Sequence, residues 1–384
     1  MTRWVLALFI MVGSICHAEY FTNANIPVLD LADYENPKTR TRFVRQMKNA
    51  LAEMGFFALQ SFGVDEELLN DGYRALESFF YLPIEDKLRY NDLSVDGRRG
   101  YVPGESAKGE ERVDFKEFFA VGRERDGICL SALENIWPSE VNLKKPLLAL
   151  FDRIEDRREI LERAFSEALG VPEDFFSQMT KKGECMLRAL HYPVRPCPNL
   201  VWSAAHTDIN LFAITPPASA KGLQYQTKEG NWMDVIAPKN CVIIHCGDMM
   251  ENLTNGLFRS ALHRVVDVGA QSDRFSMVFF THPSHYDRMD PLPKCITMTG
   301  GRARYPQATA LELLEERLVE LGLASYKMME HLGNSGLMER LLILDRASPQ
   351  AMDALARAGL ATTPVQEALK KSSLGPSDHR LSTK

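Results

Sequence analysis

His206-Thr207-Asp208, then His263 within Leu262-His263-Arg264-Val265, then Arg274-Phe275-Ser276, are the residues whose types and spacing can do chemistry together. On a β-strand, residues i and i+2 point to the same face, so His206 and Asp208 offer one imidazole and one carboxylate to a single ion. His263 supplies a third ligand from farther along the chain. Two histidines and one carboxylate suit non-haem Fe(II), because three ligands on one face leave the opposite face open for substrate and O2. Arg274 and Ser276 also share a face, and a guanidinium beside a hydroxyl suits a carboxylate. Taken singly, His206 or His263 is more often a structural histidine, and a structural salt-bridge role is the alternative reading of Arg274. The agreement of several spacings on one site carries the reading.

An oxo-acid such as 2-oxoglutarate would chelate the metal through its keto and C1 oxygens while Arg274 and Ser276 hold its far carboxylate. Residues 262–268 and 274–280 read as strands joined by a turn at 269–273, so a hairpin is expected to bring His263 beside Arg274. Further strands are expected at 186–192, 201–214, 222–227, 232–236 and 241–245. The strand carrying the dyad ends at Thr215-Pro216-Pro217, since proline cannot donate to a ladder. Lys228-Glu229-Gly230-Asn231 and Asn255-Gly256 are expected hairpin turns. Evenly spaced short strands of this kind predict a closed or double-sheet β architecture.

Helical patterning dominates before residue 180. Phe43, Met47, Ala50 and Leu51 mark one helix face ending at Gly55, and Leu69, Tyr73, Leu76 and Phe80 mark another. A longer helix is expected over 146–169, with Leu150, Phe151, Ile154, Leu161 and Phe165 inward and Gly170 as its cap. After residue 305, Leu311, Leu314, Leu318 and Leu321 form a stripe. Residues 372–384 are polar and expected to be disordered. There are no internal repeats.

The chain resembles an Fe(II)/2-oxoglutarate-dependent dioxygenase of the isopenicillin N synthase-like superfamily. The resemblance spans most of residues 25–290. It is carried by Ile26-Pro27-Val28, Met54-Gly55-Phe56-Phe57, Arg99-Gly100-Tyr101, Leu187-Arg188, Tyr192-Pro193, Gly222-Leu223-Gln224, Gly247-Asp248 and the residues named above. It implies an α+β fold in which a double-stranded β-helix, or jelly roll, is flanked by N-terminal and C-terminal helices. It further implies iron bound by His206, Asp208 and His263, and the oxo-acid or substrate carboxylate bound by Arg274, Ser276 and Tyr192. O2 would be a cosubstrate and ascorbate a possible reductant. The expected organisation is an N-terminal region at 25–180, the jelly-roll core at 181–300 and a C-terminal helical region at 305–371. Pocket-lining residues are expected from loops and from the N-terminal helices.

Two departures stand out. Many family members carry Arg-x-Asn-x-Tyr-Pro where this chain has Arg188-Ala189-Leu190-His191-Tyr192-Pro193, which removes a polar contact beside the cosubstrate. Ser61-Phe62-Gly63-Val64 stands in place of Asn-His-Gly-Val. The first departure supports an alternative, an oxidase that uses no oxo-acid and grips its substrate's own carboxylate with Arg274 and Ser276. A more distant alternative is a binding protein without catalysis on the same scaffold. His245, His282 and His285 lack a carboxylate at i+2 and read as structural or pocket-lining, and Asp248 as a turn or hydrogen-bonding residue.

Hydrophobic content of 45% and charged content of 25% over 384 residues fit a soluble globular enzyme. A net charge of -6 gives no electrostatic case for nucleic acid. A small-molecule substrate is expected instead. Residues 1–18 combine a short basic start, an apolar run and a small-residue end, the pattern of an export signal and too short for a comfortable membrane span. The cytoplasm is the alternative location, because Fe(II) and 2-oxoglutarate are most available in a reducing compartment. Cys129, Cys185, Cys197, Cys241, Cys246 and Cys295 show no framework spacing and read as buried free thiols.

Overall fold

Short apolar runs broken by turn residues favour strands between residues 186 and 281, and the structure, a computed structural model, places two sheets face to face there. It describes residues 25–95, 97–104, 114–125, 128–129, 133–194, 201–269 and 272–373. The expected signal at 1–18 and the polar residues from 374 onward lie outside the described residues.

The strands of the N-terminal part are β1 (Val28–Asp30), β2 (Phe56–Gln60), β3 (Gly100–Val102), β4 (Glu117–Gly122), β5 (Glu124–Arg125) and β6 (Ile128–Cys129). Those that follow are β7 (Met186–Tyr192), β8 (Val201–His206), β9 (Phe212–Thr215), β10 (Leu223–Gln226), β11 (Trp232–Asp234), β12 (Val242–Cys246), β13 (His263–Val266) and β14 (Arg274–Thr281). The larger sheet runs β1-β2-β12-β9-β14-β7-β4-β3 and the smaller β11-β10-β13-β8, with β5 and β6 a separate ribbon. Two small apolar clusters lie between the two main sheets. In one, Phe56, Ala58 and Ile243 meet Tyr225; in the other, Phe118, Leu190 and Tyr192 meet Trp202 and Val265. This is the jelly roll of an α+β protein.

Helices α1 (Leu31–Glu35), α2 (Arg40–Glu53), α3 (Glu66–Phe80), α4 (Ile84–Lys87), α5 (Lys144–Leu169) and α6 (Phe175–Thr180) belong to the N-terminal part. In α5, Leu147, Leu150, Phe151, Ile154, Leu161 and Phe165 are fully buried, each stabilising by roughly 1.5–3 kcal/mol. Phe151 meets Phe279 of β14 with ring centroids 5.0 Å apart, and Phe165 meets Phe212 of β9 at 4.9 Å. The helix therefore backs the strands that carry the site. Gly170 ends it in the left-handed region at φ 64°. Gly55 ends α2 at φ 76°, and a Cβ there would meet the Arg259 carbonyl oxygen at 2.3 Å, so only glycine lets the two backbones cross.

Three sequence expectations change. The single strand at 201–214 is two strands in different sheets, β8 in the smaller and β9 in the larger, with His206 and Asp208 at the break between them. The hairpin joining 262–268 to 274–280 does not form. Both edges of β13 are occupied, by β10 and by β8, so β14 crosses to the larger sheet and pairs with β7 and β9. Asn255-Gly256 is no hairpin turn either; its positive φ angles of 54° and 78° close the end of helix α7 (Asp248–Leu253). The turn at 228–231 does join β10 to β11. The remaining helices are α8 (Pro293–Met298), α9 (Ala310–Glu320), α10 (Tyr326–Ser335), α11 (Leu337–Ile343), α12 (Pro349–Arg357) and α13 (Thr363–Ser373).

Candidate active site

His206 is the last residue of β8, and His263, the first residue of β13, is its cross-strand partner. Directly opposed residues of antiparallel strands have Cβ atoms only about 4.5–5.5 Å apart, which brings two histidines 57 positions apart together. Asp208 lies just past the end of β8. The i, i+2 relation thus works through a strand end and a turn, not through a continuous strand. One ligand atom from each of His206, Asp208 and His263 lies within 4.8 Å of the other two.

The donor atoms are prepared. Nδ1 of His206 bonds the Ala204 carbonyl at 2.7 Å and Nδ1 of His263 bonds the Ala261 carbonyl at 3.1 Å, each two residues upstream. Both bonds put the proton on Nδ1 and leave an Nε2 lone pair for a metal. The two Nε2 atoms stand 3.7 and 3.9 Å from Asp208 Oδ1. Asp208 Oδ2 accepts a bond of 2.7 Å from His245 Nε2, whose ring stacks on Phe56. Burial opposes charge on Asp208, but the imidazoles of His263, His245 and His206 outweigh it and hold the carboxyl well below the usual carboxylate range. Burial, reinforced by the His206 ring, lowers His263 to about 3, so its imidazole is neutral at physiological pH.

Strands β7 and β14 lay two parallel rows of side chains along the same cavity, which measures about 270 Å³. Tyr192, Leu190, Arg188 and Met186 form one row; Arg274, Ser276, Val278 and Phe280 form the other. Arg274 pairs in register with Tyr192 and its guanidinium lies 4.9 Å from that ring centroid. It is buried, with Nε donating to the carbonyls of Ala220 and Lys221 at 3.1 and 3.2 Å and a terminal nitrogen to Ser276 Oγ at 3.2 Å. Among the described residues no carboxylate pairs with it. A buried guanidinium oriented by neutral acceptors is a ready site for an anion from outside the chain. Leu190, opposite Ser276, confirms that the expected polar side chain is replaced by an apolar one.

Residues 26–140 match the family described as "non-haem dioxygenase in morphine synthesis N-terminal", and residues 183–283 match the "2OG-Fe(II) oxygenase superfamily". A 2-oxoglutarate-dependent dioxygenase of Aspergillus niger is 30% identical over 275 residues, covering 68% of this chain and 85% of its own length. The crystal structure of a 2OG-Fe(II) oxygenase family protein from Caulobacter crescentus superposes with a TM-score of 0.69 at 31% identity, covering 77% of this chain and 99% of that one. The chain belongs to the 2-oxoglutarate- and Fe(II)-dependent oxygenase superfamily. A full-length Neurospora crassa protein, solved in complex with alpha-KG, shares the fold with a TM-score of 0.67 at 24% identity over 76% of this chain and 95% of that one.

This oxygenase is therefore an oxidoreductase whose cofactors are Fe(II), 2-oxoglutarate and O2. Nothing in the comparisons favours the oxidase without an oxo-acid or the non-catalytic scaffold. The donor set fits the metal: three convergent ligands with the tautomers already fixed, opening onto a cavity that also holds an anion-ready guanidinium.

His245, His282 and His285 all line the cavity, and Asp208 accepts a hydrogen bond from the first of them. Burial, with His285 nearby, lowers His282 to about 4. Asp248 bonds the Thr207 hydroxyl at 3.1 Å, in keeping with a hydrogen-bonding residue. Among the described residues no N-terminal helix lines the cavity, contrary to expectation. The helical wall among those residues is chiefly α9, whose Leu311, Leu314 and Leu318, with Leu321 just past its end, line the cavity beside Met249 of α7 and Met328 of α10. The four leucines stay half-exposed while Leu313 and Val319 on other sides of the helix are buried. Their i, i+3, i+7, i+10 spacing was visible in the sequence, but the same pattern marks any core-facing helix. Among the described residues no helix is long and apolar enough to cross a membrane.

Proposed function

We propose that His206, Asp208 and His263 hold Fe(II), and that Arg274 and Ser276, flanked by Tyr192, bind the far carboxylate of 2-oxoglutarate. One observation carries this assignment: three ligand atoms within 4.8 Å of one another open onto the cavity that contains a buried guanidinium. Bound Fe(II) with 2-oxoglutarate supplies oxidising equivalents from O2 by decarboxylating the oxo-acid to succinate, chemistry no side chain here can do.

The chain's own groups supply placement. The Ala204 and Ala261 carbonyls keep both imidazoles in the ligating tautomer, and His245 keeps one carboxylate oxygen of Asp208 occupied, leaving Oδ1 toward the metal. Arg274 and Ser276 fix one end of the oxo-acid, and the alternation of β14 sets how far along the cavity that end lies. Val278, Phe280 and the leucines of α9 exclude water around the reacting region.

The substrate in this reading is a small molecule with an apolar body lying against α9, and nucleic acid is not one, given a net charge of -6. Hydroxylation, desaturation and ring closure are all open to such a site. Purified protein with Fe(II), 2-oxoglutarate and ascorbate should consume O2 and release succinate slowly without substrate, and His206→Ala should abolish this. Full turnover by His206→Ala refutes the ligand assignment. A metabolite screen scored by stimulated succinate release tests the substrate class, and stimulation confined to strongly hydrophilic compounds overturns it.

A further inference from the structure

The family match ends at residue 283, yet α9 at 310–320 reaches back to the turn that carries two of the three proposed ligands. Its Arg317 is buried and borders the leucine stripe, lining the same cavity. One terminal nitrogen donates to the Thr207 carbonyl at 2.9 Å, the other lies 3.4 Å from the Thr207 hydroxyl, and the same guanidinium pairs with Asp248 Oδ2. Thr207 is the residue between His206 and Asp208. Asp248 closes the contact from below: its side chain accepts from the Thr207 hydroxyl at 3.1 Å, and its backbone N–H donates to the Asp208 carbonyl at 2.7 Å.

We propose that Arg317 is a positioning residue for the metal site. By fixing the Thr207 carbonyl and holding Asp248, it sets the orientation of the turn and hence the separation of the His206 and Asp208 donor atoms. The helix that forms the apolar wall is thereby tied to the metal ligands through a single guanidinium. A lysine can keep the charge opposite Asp248 but cannot present a planar fork to a carboxylate and a carbonyl at once. The proposal rests on the ligand assignment given above.

A purely structural role for Arg317 would be to dock α9, and the molecule provides a control for that. Arg340 of α11 also anchors α9, pairing with Glu312 at 2.5 Å without touching the metal turn. The test is Mn(II) binding to the full chain, read by electron paramagnetic resonance titration with 2-oxoglutarate present, alongside thermal unfolding of the metal-free protein. Arg317→Gln should weaken Mn(II) by roughly 10–100-fold, the usual effect of losing a group that orients metal ligands. Arg317→Lys should recover part of that loss. Arg340→Gln should lower the unfolding temperature yet leave Mn(II) affinity within about twofold.

Wild-type affinity in Arg317→Gln, or an equal loss in Arg340→Gln, overturns the proposal. If the glutamine variant does not fold, Arg317→Lys decides: full affinity there overturns it and a several-fold loss supports it. His206→Ala separates the two levels of argument. Loss of Mn(II) binding in His206→Ala with none in Arg317→Gln sinks only the role of Arg317, whereas retained binding in His206→Ala sinks the ligand assignment and this inference with it.

Discussion

At the scale of single residues, the site combines groups the sequence marks with groups it does not. His206, Asp208, His263, Arg274 and Ser276 were legible because short spacings tie them in pairs and their chemistries complement one another. His245 was legible only as a structural or pocket-lining histidine. It bonds Asp208 across 37 positions of chain, and only the pairing of β12 with β9 brings the two together. Arg317 carried no signal at all, since an arginine in a charged helix reads as a solvated face. The guanidinium of Arg274 invites a direct test. It spends its Nε on two carbonyls and a terminal nitrogen on Ser276, an arrangement lysine cannot reproduce. Arg274→Lys should raise the 2-oxoglutarate concentration for half-maximal succinate release by about 10–100-fold, from a loss of about 1.5–3 kcal/mol in charge-assisted bonding. Unchanged dependence on 2-oxoglutarate would mean that the oxo-acid does not meet this residue.

At the scale of elements, the strands were found but not their neighbours. A local alternation of apolar and polar residues says that a segment is extended and half-buried; it does not say which sheet receives it. For this reason β8 and β9 read as one strand, and β13 and β14 as a hairpin. The break between β8 and β9 is held by the start of α7, where Gly247 packs against it. A Cβ on Gly247 would meet the Asn210 backbone oxygen at 2.2 Å and the Asp208 backbone oxygen at 2.8 Å. Because φ there is -105°, the obstacle is contact alone and not backbone strain. Gly247→Ala should therefore destabilise the protein by about 1–3 kcal/mol, an overpacking cost. It should also weaken Mn(II) binding, since the turn displaced carries Asp208, one of the proposed ligands. A variant with unaltered melting temperature and metal affinity would show that the turn has room to move.

At the scale of the whole molecule, the jelly roll and its helical layers follow from patterning, whereas the closure of the cavity by the C-terminal helices does not, because a leucine stripe looks the same whether it meets core or ligand. Acid sensitivity is a property of the assembled fold. His263 and His282 titrate at about 3 and about 4 when folded, against about 6.5 for an exposed histidine. Between those values the unfolded chain binds more protons than the folded one, so stability rises with pH across the interval and is lost as pH falls through it. Melting of metal-free protein should thus shift to lower temperature from about pH 6.5 toward pH 4. A flat profile over that range would show that these imidazoles are not kept neutral by the fold.

The paired rows on β7 and β14 constrain how this pocket can diversify. Odd-numbered neighbours such as Phe275, Met277 and Phe279 point into the hydrocarbon interior, so a one-residue slip of β14 would present three aromatic or thioether groups to the cavity and drive the Arg274 guanidinium into oil. Insertions tolerated by a descendant of this chain should come two at a time, each pair moving the anion grip by roughly 7 Å relative to the metal. Lineages would then change the length of the acid they accept in discrete jumps.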